Sequence, residues 1–173
     1  MSDLTQSNPW DELRAHTSAR IALGRVGSSL PTAEVLKFGL AHAQARDAVH
    51  RPLDFSALRE QLDSADFRTL QVCSDAPDRP TYLLRPDKGR HLQDDCAARL
   101  SAQAPAPELA IVIADGLSSI AVQRHALPLL ELFRQSFATD WAKTPVVLAE
   151  QGRVAIGDGI SVALRARLVI VLI

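Results

Sequence analysis

The amino-acid sequence predicts an α/β fold, in which a helical N-terminal lobe precedes an incomplete, parallel, doubly wound βαβαβ domain. Continuous apolar runs at residues 109–114, 145–149 and 168–173 are typical of strands that are buried on both faces. Amphipathic stretches of helical length separate these runs. Strands that alternate with helices form right-handed crossovers, so the three strands should be parallel.

A linker at residues 101–107, in which small residues alternate with prolines, separates the two parts of the chain. Proline interrupts both helices and strands, so this stretch should connect two structured parts without belonging to either of them. We therefore place the mainly helical lobe at residues 1–103 and the parallel domain at residues 104–173.

Three helices and a short hairpin are predicted in the lobe. The first helix begins after Pro31, and the second begins after Asp54, which can cap it. The third has apolar residues spaced by four over residues 92–100. Between the second and the third, extended runs at 69–73 and 81–84 flank a turn-rich connector and predict the hairpin.

In the parallel domain, a long amphipathic stretch with Pro128 inside it predicts a kinked or restarted helix, and residues 157–165 predict a short one. Ile173 ends a strand. Ligand loops of such sheets follow the carboxyl ends of strands, so the sequence predicts a chain that is truncated at its C-terminus.

Composition excludes several classes of function. The 173 residues are 47% apolar and carry a formal net charge of −1, which gives no reason to expect nucleic acid or an anionic membrane as a partner. No run approaches the roughly 18 apolar residues of a membrane span. Cys73 and Cys96 lie outside any CxxC pair, which indicates free thiols in the cytosol rather than a zinc site.

Two polar loops that contain glycine follow neighbouring strands and are the candidate site. In the first, Asp115 and Gly116 end a strand, and Ser118 can cap the next helix, whose N–H groups would face a ligand. An ordinary capped turn explains this loop equally well.

The second loop contains Gly152 and Arg153. Arg153 could hold an anionic group or pair with Glu150. Because both loops follow strand ends, they should converge on one ligand site. No serine–histidine–aspartate arrangement is found at the loops, the five histidines are dispersed, and no catalytic residue is predicted.

Four motifs in this order resemble those of the small subunit of ethanolamine ammonia-lyase: residues 20–27, 83–90, 113–119 and 152–154. The resemblance covers nearly the whole chain. It implies a Rossmann-like domain that helps to bind adenosylcobalamin at the interface with a large catalytic subunit, in a hetero-oligomer of the bacterial cytoplasm or a bacterial microcompartment. The enzyme would cleave ethanolamine to acetaldehyde and ammonia by a radical route.

Within this resemblance, Val154 matches a cobalamin contact of the family, and Gly152 and Arg153 are its neighbours. The corrinoid motif Asp-x-His-x-x-Gly is absent from the sequence, so any cobalamin bound here should keep its own base on cobalt. The family continues past the last strand with a Gly-Glu-Arg-Pro-Gly loop and a cysteine that contact the cofactor, both beyond Ile173. Arg165 stands where the family has glycine.

Two alternatives remain open. The chain could be an assembly module that docks on the large subunit without retaining the cofactor. It could also be an unrelated nucleotide-binding half-domain, although its Gly24–Gly27 stretch does not match the GxGxxG fingerprint of dinucleotide sites.

Overall fold

The computed structural model describes residues 10–173, and the chain divides into two compact units, Met1–Asp47 and Ala48–Ile173. The division therefore differs from the predicted boundary at residues 103 and 104. The helices are α1 (Thr32–His50), α2 (Phe55–Ser64), α3 (Arg79–Leu84), α4 (Asp94–Ser101), α5 (Ser119–Ser136) and α6 (Ile156–Leu164), with short 3₁₀ turns at Asp11–His16 and Lys88–Arg90. The strands are β1 (Thr69–Cys73), β2 (Leu109–Ala114), β3 (Val146–Glu150) and β4 (Leu168–Leu172).

The four strands form one parallel sheet in the order β1-β3-β2-β4. In register, Ile111 of β2 lies between Val146 of β3 and Ile170 of β4. Every residue of β2 is buried, as expected for a central strand covered on both faces. The predicted α/β class and the incomplete Rossmann-like parallel domain are confirmed.

Helices cover the sheet on both sides, and alternate strand residues face the two layers. On one side, α2 and α5 pack on Ile111 and Ile113. On the other side, α4 and α6 pack on Ala110, Val112 and Ala114. The sheet is therefore the middle layer of a doubly wound domain.

The predicted hairpin is wrong. Residues 69–73 form β1, but this strand pairs in parallel with β3 as an edge of the main sheet. Residues 81–84 belong to α3, because the Asp78 side chain accepts a hydrogen bond from the Thr81 N–H at 2.7 Å and Pro80 occupies the first helical turn. Both features start helices, and the turn-rich connector was in part a helix cap.

The sequence predicted a kink or a restart at Pro128. The long stretch after β2 is one helix, so the restart is wrong. A proline removes the hydrogen bond to the carbonyl four residues earlier, here that of Arg124. Pro128 and Arg124 are both exposed, so water can solvate that carbonyl. Asp54 caps α2 as predicted, by accepting from the Ala57 N–H at 2.9 Å. Across residues 10–173, no helix combines the length and apolar character needed to cross a membrane.

Candidate functional site

The candidate site lies at the switch point of the sheet, where the connections after two adjacent strands lead to opposite faces. The adjacent strands β2 and β3 continue into α5 and α6, which cover opposite faces of the sheet. The loops after two such strands border the crevice in which doubly wound proteins bind ligands. A Cβ atom added to Gly116 would lie 2.2 Å from the Gly152 carbonyl oxygen, so the two loops are in contact, as the sequence predicted.

Asp115, the first residue after β2, points into the protein. Its side chain is buried, and its Oδ2 lies 3.7 Å from Nη1 of Arg79. Burial raises the pKa of Asp115, while the Arg79 guanidinium and the nearby backbone N–H groups of Gly152 and Gln151 oppose that rise. Oδ1 makes no hydrogen bond to any described residue. The carboxylate therefore interacts with buried groups of the protein around the two loops.

Arg79, from the first turn of α3, connects three segments of the chain. Its Nε donates to the carbonyl oxygen of Val49 at 2.7 Å, and Nη2 donates to the same oxygen. Nη2 also donates to the Asp115 carbonyl oxygen at 3.0 Å, and Nη1 donates to Oε1 of Gln151 at 3.2 Å. The guanidinium thus holds the end of α1, the loop after β2 and the loop after β3 together.

Tyr82, one turn further along α3, lies between two guanidinium groups. The Cζ atoms of Arg79 and Arg153 are each 4.5 Å from the centre of its ring, a distance typical of cation–π contacts. The hydroxyl donates to the Gly116 carbonyl oxygen at 2.9 Å. Gly89 packs against the ring, since a Cβ atom there would lie 2.9 Å from Cδ2 and Cε2. Tyr82 of α3 therefore contacts both loops of the candidate site from the protein interior.

Arg153 is fixed by the same tyrosine. Its Nη2 donates to the Tyr82 carbonyl oxygen at 3.1 Å, and its backbone N–H donates to the Gly89 carbonyl oxygen at 2.7 Å. Glu150, the alternative partner suggested by the sequence, instead accepts a hydrogen bond from Nε2 of Gln71. The Arg153 side chain thus lies against the protein, and the chain then turns outward at Val154.

Val154 is 61% exposed and is the predicted contact residue most open to a ligand. Two further apolar side chains are exposed on segments tied to the Arg79 and Tyr82 contacts, namely Leu117 after Gly116 and Leu84 at the end of α3. Ser118 uses its hydroxyl to cap α5, by accepting from the Ala121 N–H at 3.2 Å. Each of the two loops therefore exposes one large apolar side chain, Val154 or Leu117, above buried polar contacts.

Sequence reasoning did not select Arg79 or Tyr82. Neither lies in a strand-end loop, and both were assigned to the connector and the extended run of a hairpin. A partial signal was available, because Asp78 followed by Pro80 is a helix-start pattern that would have placed both side chains on one short helix. Among the described residues, no group of three or more histidine, cysteine, aspartate or glutamate side chains is arranged to bind a metal ion.

Fold and site together define a doubly wound α/β protein whose two switch-point loops each expose an apolar side chain. Residues 7–173 match the family model of the ethanolamine ammonia-lyase light chain, and the chain belongs to that family. The resemblance inferred from four sequence motifs is thereby confirmed.

Curated relatives agree with the family match. The chain is 52% identical to the ethanolamine ammonia-lyase small subunit of Azotobacter vinelandii, in an alignment that covers 100% of this chain and 67% of that protein. It is 54% identical to the small subunit of Pseudomonas fluorescens strain Pf0-1, over 96% of this chain and 62% of that protein. A Pseudomonas aeruginosa small subunit is 51% identical over 100% of this chain and 65% of its own length. The chain thus spans about two thirds of the length of these relatives.

Proposed function

We propose that this chain acts as the small subunit of an adenosylcobalamin-dependent ethanolamine ammonia-lyase, which converts ethanolamine to acetaldehyde and ammonia. It would assemble with a large catalytic subunit into a hetero-oligomer of the bacterial cytoplasm or a bacterial microcompartment, and it would contact cobalamin at their interface without supplying a catalytic residue. The observation that carries this proposal is the exposed Val154 at the switch point, in a chain of this family.

The residues present fit the periphery of cobalamin. Corrin edges are large and partly apolar, and Val154 and Leu117 offer exposed apolar surface. Gly116 and Gly152 allow the backbones of the two loops to pack closely on their neighbours, because a Cβ at either position would lie within 3.2 Å of another atom. When bound, adenosylcobalamin supplies a radical through homolysis of its cobalt–carbon bond. This chain would orient the cofactor and exclude water from its edge.

The test is retention of cofactor by the assembled enzyme. The chain is co-purified with an ethanolamine ammonia-lyase large subunit, and binding of adenosylcobalamin is followed by its visible spectrum. Val154→Asp should weaken retention at least tenfold, or about 1.4 kcal/mol, because the carboxylate would lose water against an apolar ligand edge. Val162→Asp is the matched control, since Val162 is 78% exposed on α6. Equal retention by both variants and the unaltered protein would refute a role for Val154.

A specific observation favours the assembly module as a second candidate. Helix α1 has no buried residue, and it exposes large apolar side chains, Leu36 at 68% and Leu40 at 61% among them. These two lie one turn apart and share a face, and exposed apolar faces mark interaction sites. If this face alone carries the function, the co-purified complex will be stoichiometric but colourless. Leu36→Glu with Leu40→Glu will then abolish the complex, whereas Val154→Asp will not affect it.

A further inference from the structure

We propose that Arg79 is a positioning residue that holds the two switch-point loops in the arrangement that presents Val154. The inference rests on the proposed function for its consequence, which is cofactor retention. Its structural content, the coupling of Arg79 to the backbone around Arg153, can be tested without any cofactor.

Several segments of the chain depend on the Arg79 side chain. The Arg79 side chain is only 13% exposed, and its hydrogen bonds end on Val49, Asp115, Gly116 and Gln151. A planar guanidinium with five donors can satisfy several acceptors in different directions at once, which a lysine ammonium cannot do in the same geometry. These acceptors belong to the end of α1 and to the loops after β2 and β3, so one side chain joins all three segments.

Tyr82 and Arg153 connect Arg79 to Val154. Arg79 covers one face of the Tyr82 ring, and Arg153 covers the ring at the same distance. The tyrosine hydroxyl holds Gly116, and its backbone carbonyl holds the Arg153 guanidinium. Gly89 packs closely on the same ring, so the ring position depends on Gly89 and on both guanidinium groups. Loss of the Arg79 guanidinium therefore loosens the residue that precedes Val154.

Arg79 also contacts the backbone turn of the second loop through Gln151. Gln151 has a φ of +52°, in the left-handed region that L-residues other than glycine rarely adopt. Two contacts hold it there: Ser74 Oγ donates to its carbonyl oxygen at 2.8 Å, and Arg79 Nη1 donates to its side-chain oxygen. A strained residue persists only where its surroundings determine it, so Arg79 contributes directly to the shape of the turn before Gly152.

The experiment compares Arg79→Lys with a core variant that is destabilised without a change to the loop contacts. Leu100→Ala is the control, because Leu100 is buried on α4 and makes none of the loop contacts. Both full-length chains are examined by hydrogen–deuterium exchange, and both are then assembled with the large subunit to measure the Kd for adenosylcobalamin. Arg79→Lys should raise exchange of the Arg153 N–H, which donates to Gly89, at least tenfold and leave the β2 amides protected. It should also weaken cofactor binding at least tenfold, whereas Leu100→Ala should do neither.

The outcomes separate the two proposals. Unchanged exchange at Arg153 in Arg79→Lys overturns the positioning role, whatever the cofactor does, and so does an equal rise in Leu100→Ala. If the unaltered complex retains no cobalamin, the proposed function fails while the exchange result still decides the coupling. Should Arg79→Lys not fold, Tyr82→Phe removes only the hydroxyl bond to Gly116. It should raise Arg153 exchange several-fold, and no change there overturns the inference.

Discussion

Gly116→Ala tests directly whether the two loops of the site are in contact. A Cβ at this position would lie 2.2 Å from the Gly152 carbonyl oxygen, 2.5 Å from the Tyr82 hydroxyl and 2.8 Å from Cδ1 of Ile173. The isoleucine terminus can rotate away. The carbonyl oxygen belongs to the backbone, so the methyl group can be accommodated only if the loops separate.

The expected loss follows from two effects. Forcing one extra carbon into a close-packed region costs about 1–3 kcal/mol. Displacing the tyrosine hydroxyl from its 2.9 Å hydrogen bond to the Gly116 carbonyl oxygen adds about 1 kcal/mol. We therefore expect the free energy of unfolding to fall by roughly 2–4 kcal/mol, which lowers Tm by about 5–15 °C in a chain of this size.

Thermal and urea unfolding of the full chain provide the assay, with Gly159→Ala as the matched control. Gly159 lies inside α6, where a Cβ would meet only Leu92 Cβ at an ordinary 3.5 Å. Alanine should stabilise that helix by about 0.5–1 kcal/mol. The two substitutions thus have opposite expected signs. A Gly116→Ala protein as stable as the unaltered chain would show that the loops do not meet as described.

Two further predictions concern a helix end and a buried carboxyl. Arg165 has a φ of +55° after α6, and the Ala166 N–H donates to the Ser161 carbonyl oxygen at 3.0 Å in a Schellman pattern. Arg165→Gly should raise the free energy of unfolding, measured in urea, by roughly 0.5–1 kcal/mol. It relieves left-handed strain of about 1–2 kcal/mol, and the greater conformational entropy of glycine in the unfolded chain offsets part of that gain. Arg165→Ala keeps the strain, and an equal gain in it would contradict this reasoning. Asp115 has a folded-state pKa raised above 3.8, so its contribution to stability is greatest below 3.8 and is lost as pH rises through the raised pKa. The stability of Asp115→Asn relative to the unaltered chain should therefore improve between pH 3 and pH 7, and a flat or falling difference in pH-dependent urea unfolding would contradict that sign.

The sheet could be predicted from the sequence because its signals are local. The run at residues 109–114 is apolar throughout, and a strand covered on both faces needs that composition. Residues 69–73 were also recognised as extended. Their partner was not, because adjacent runs favour hairpins, while the true partner β3 is more than 70 residues away.

Helix α3 shows where local signals conflict. Asp78 and Pro80 are typical both of a turn and of a helix start, and Tyr82 to Leu84 have side chains that suit a strand equally well. Tertiary contacts resolve the conflict. Only a helical turn places Arg79 and Tyr82 on one side, three residues apart, where both reach the loops after β2 and β3.

Of the six residues predicted from the sequence to contact a cofactor, Val154 alone combines a large side chain with high exposure. The two glycines permit close packing, Asp115 and Arg153 are engaged within the protein, and Ser118 caps a helix. The motif at residues 83–90 contributes Gly89, which packs on Tyr82, and Tyr82 in turn bonds to the motifs at residues 113–119 and 152–154. Three of the four motifs therefore meet at one aromatic ring. Gly89, Gly116 and Arg153 of these motifs thus maintain the shape of the site, which implies that substitutions at these three residues will first affect loop order and only then ligand contact.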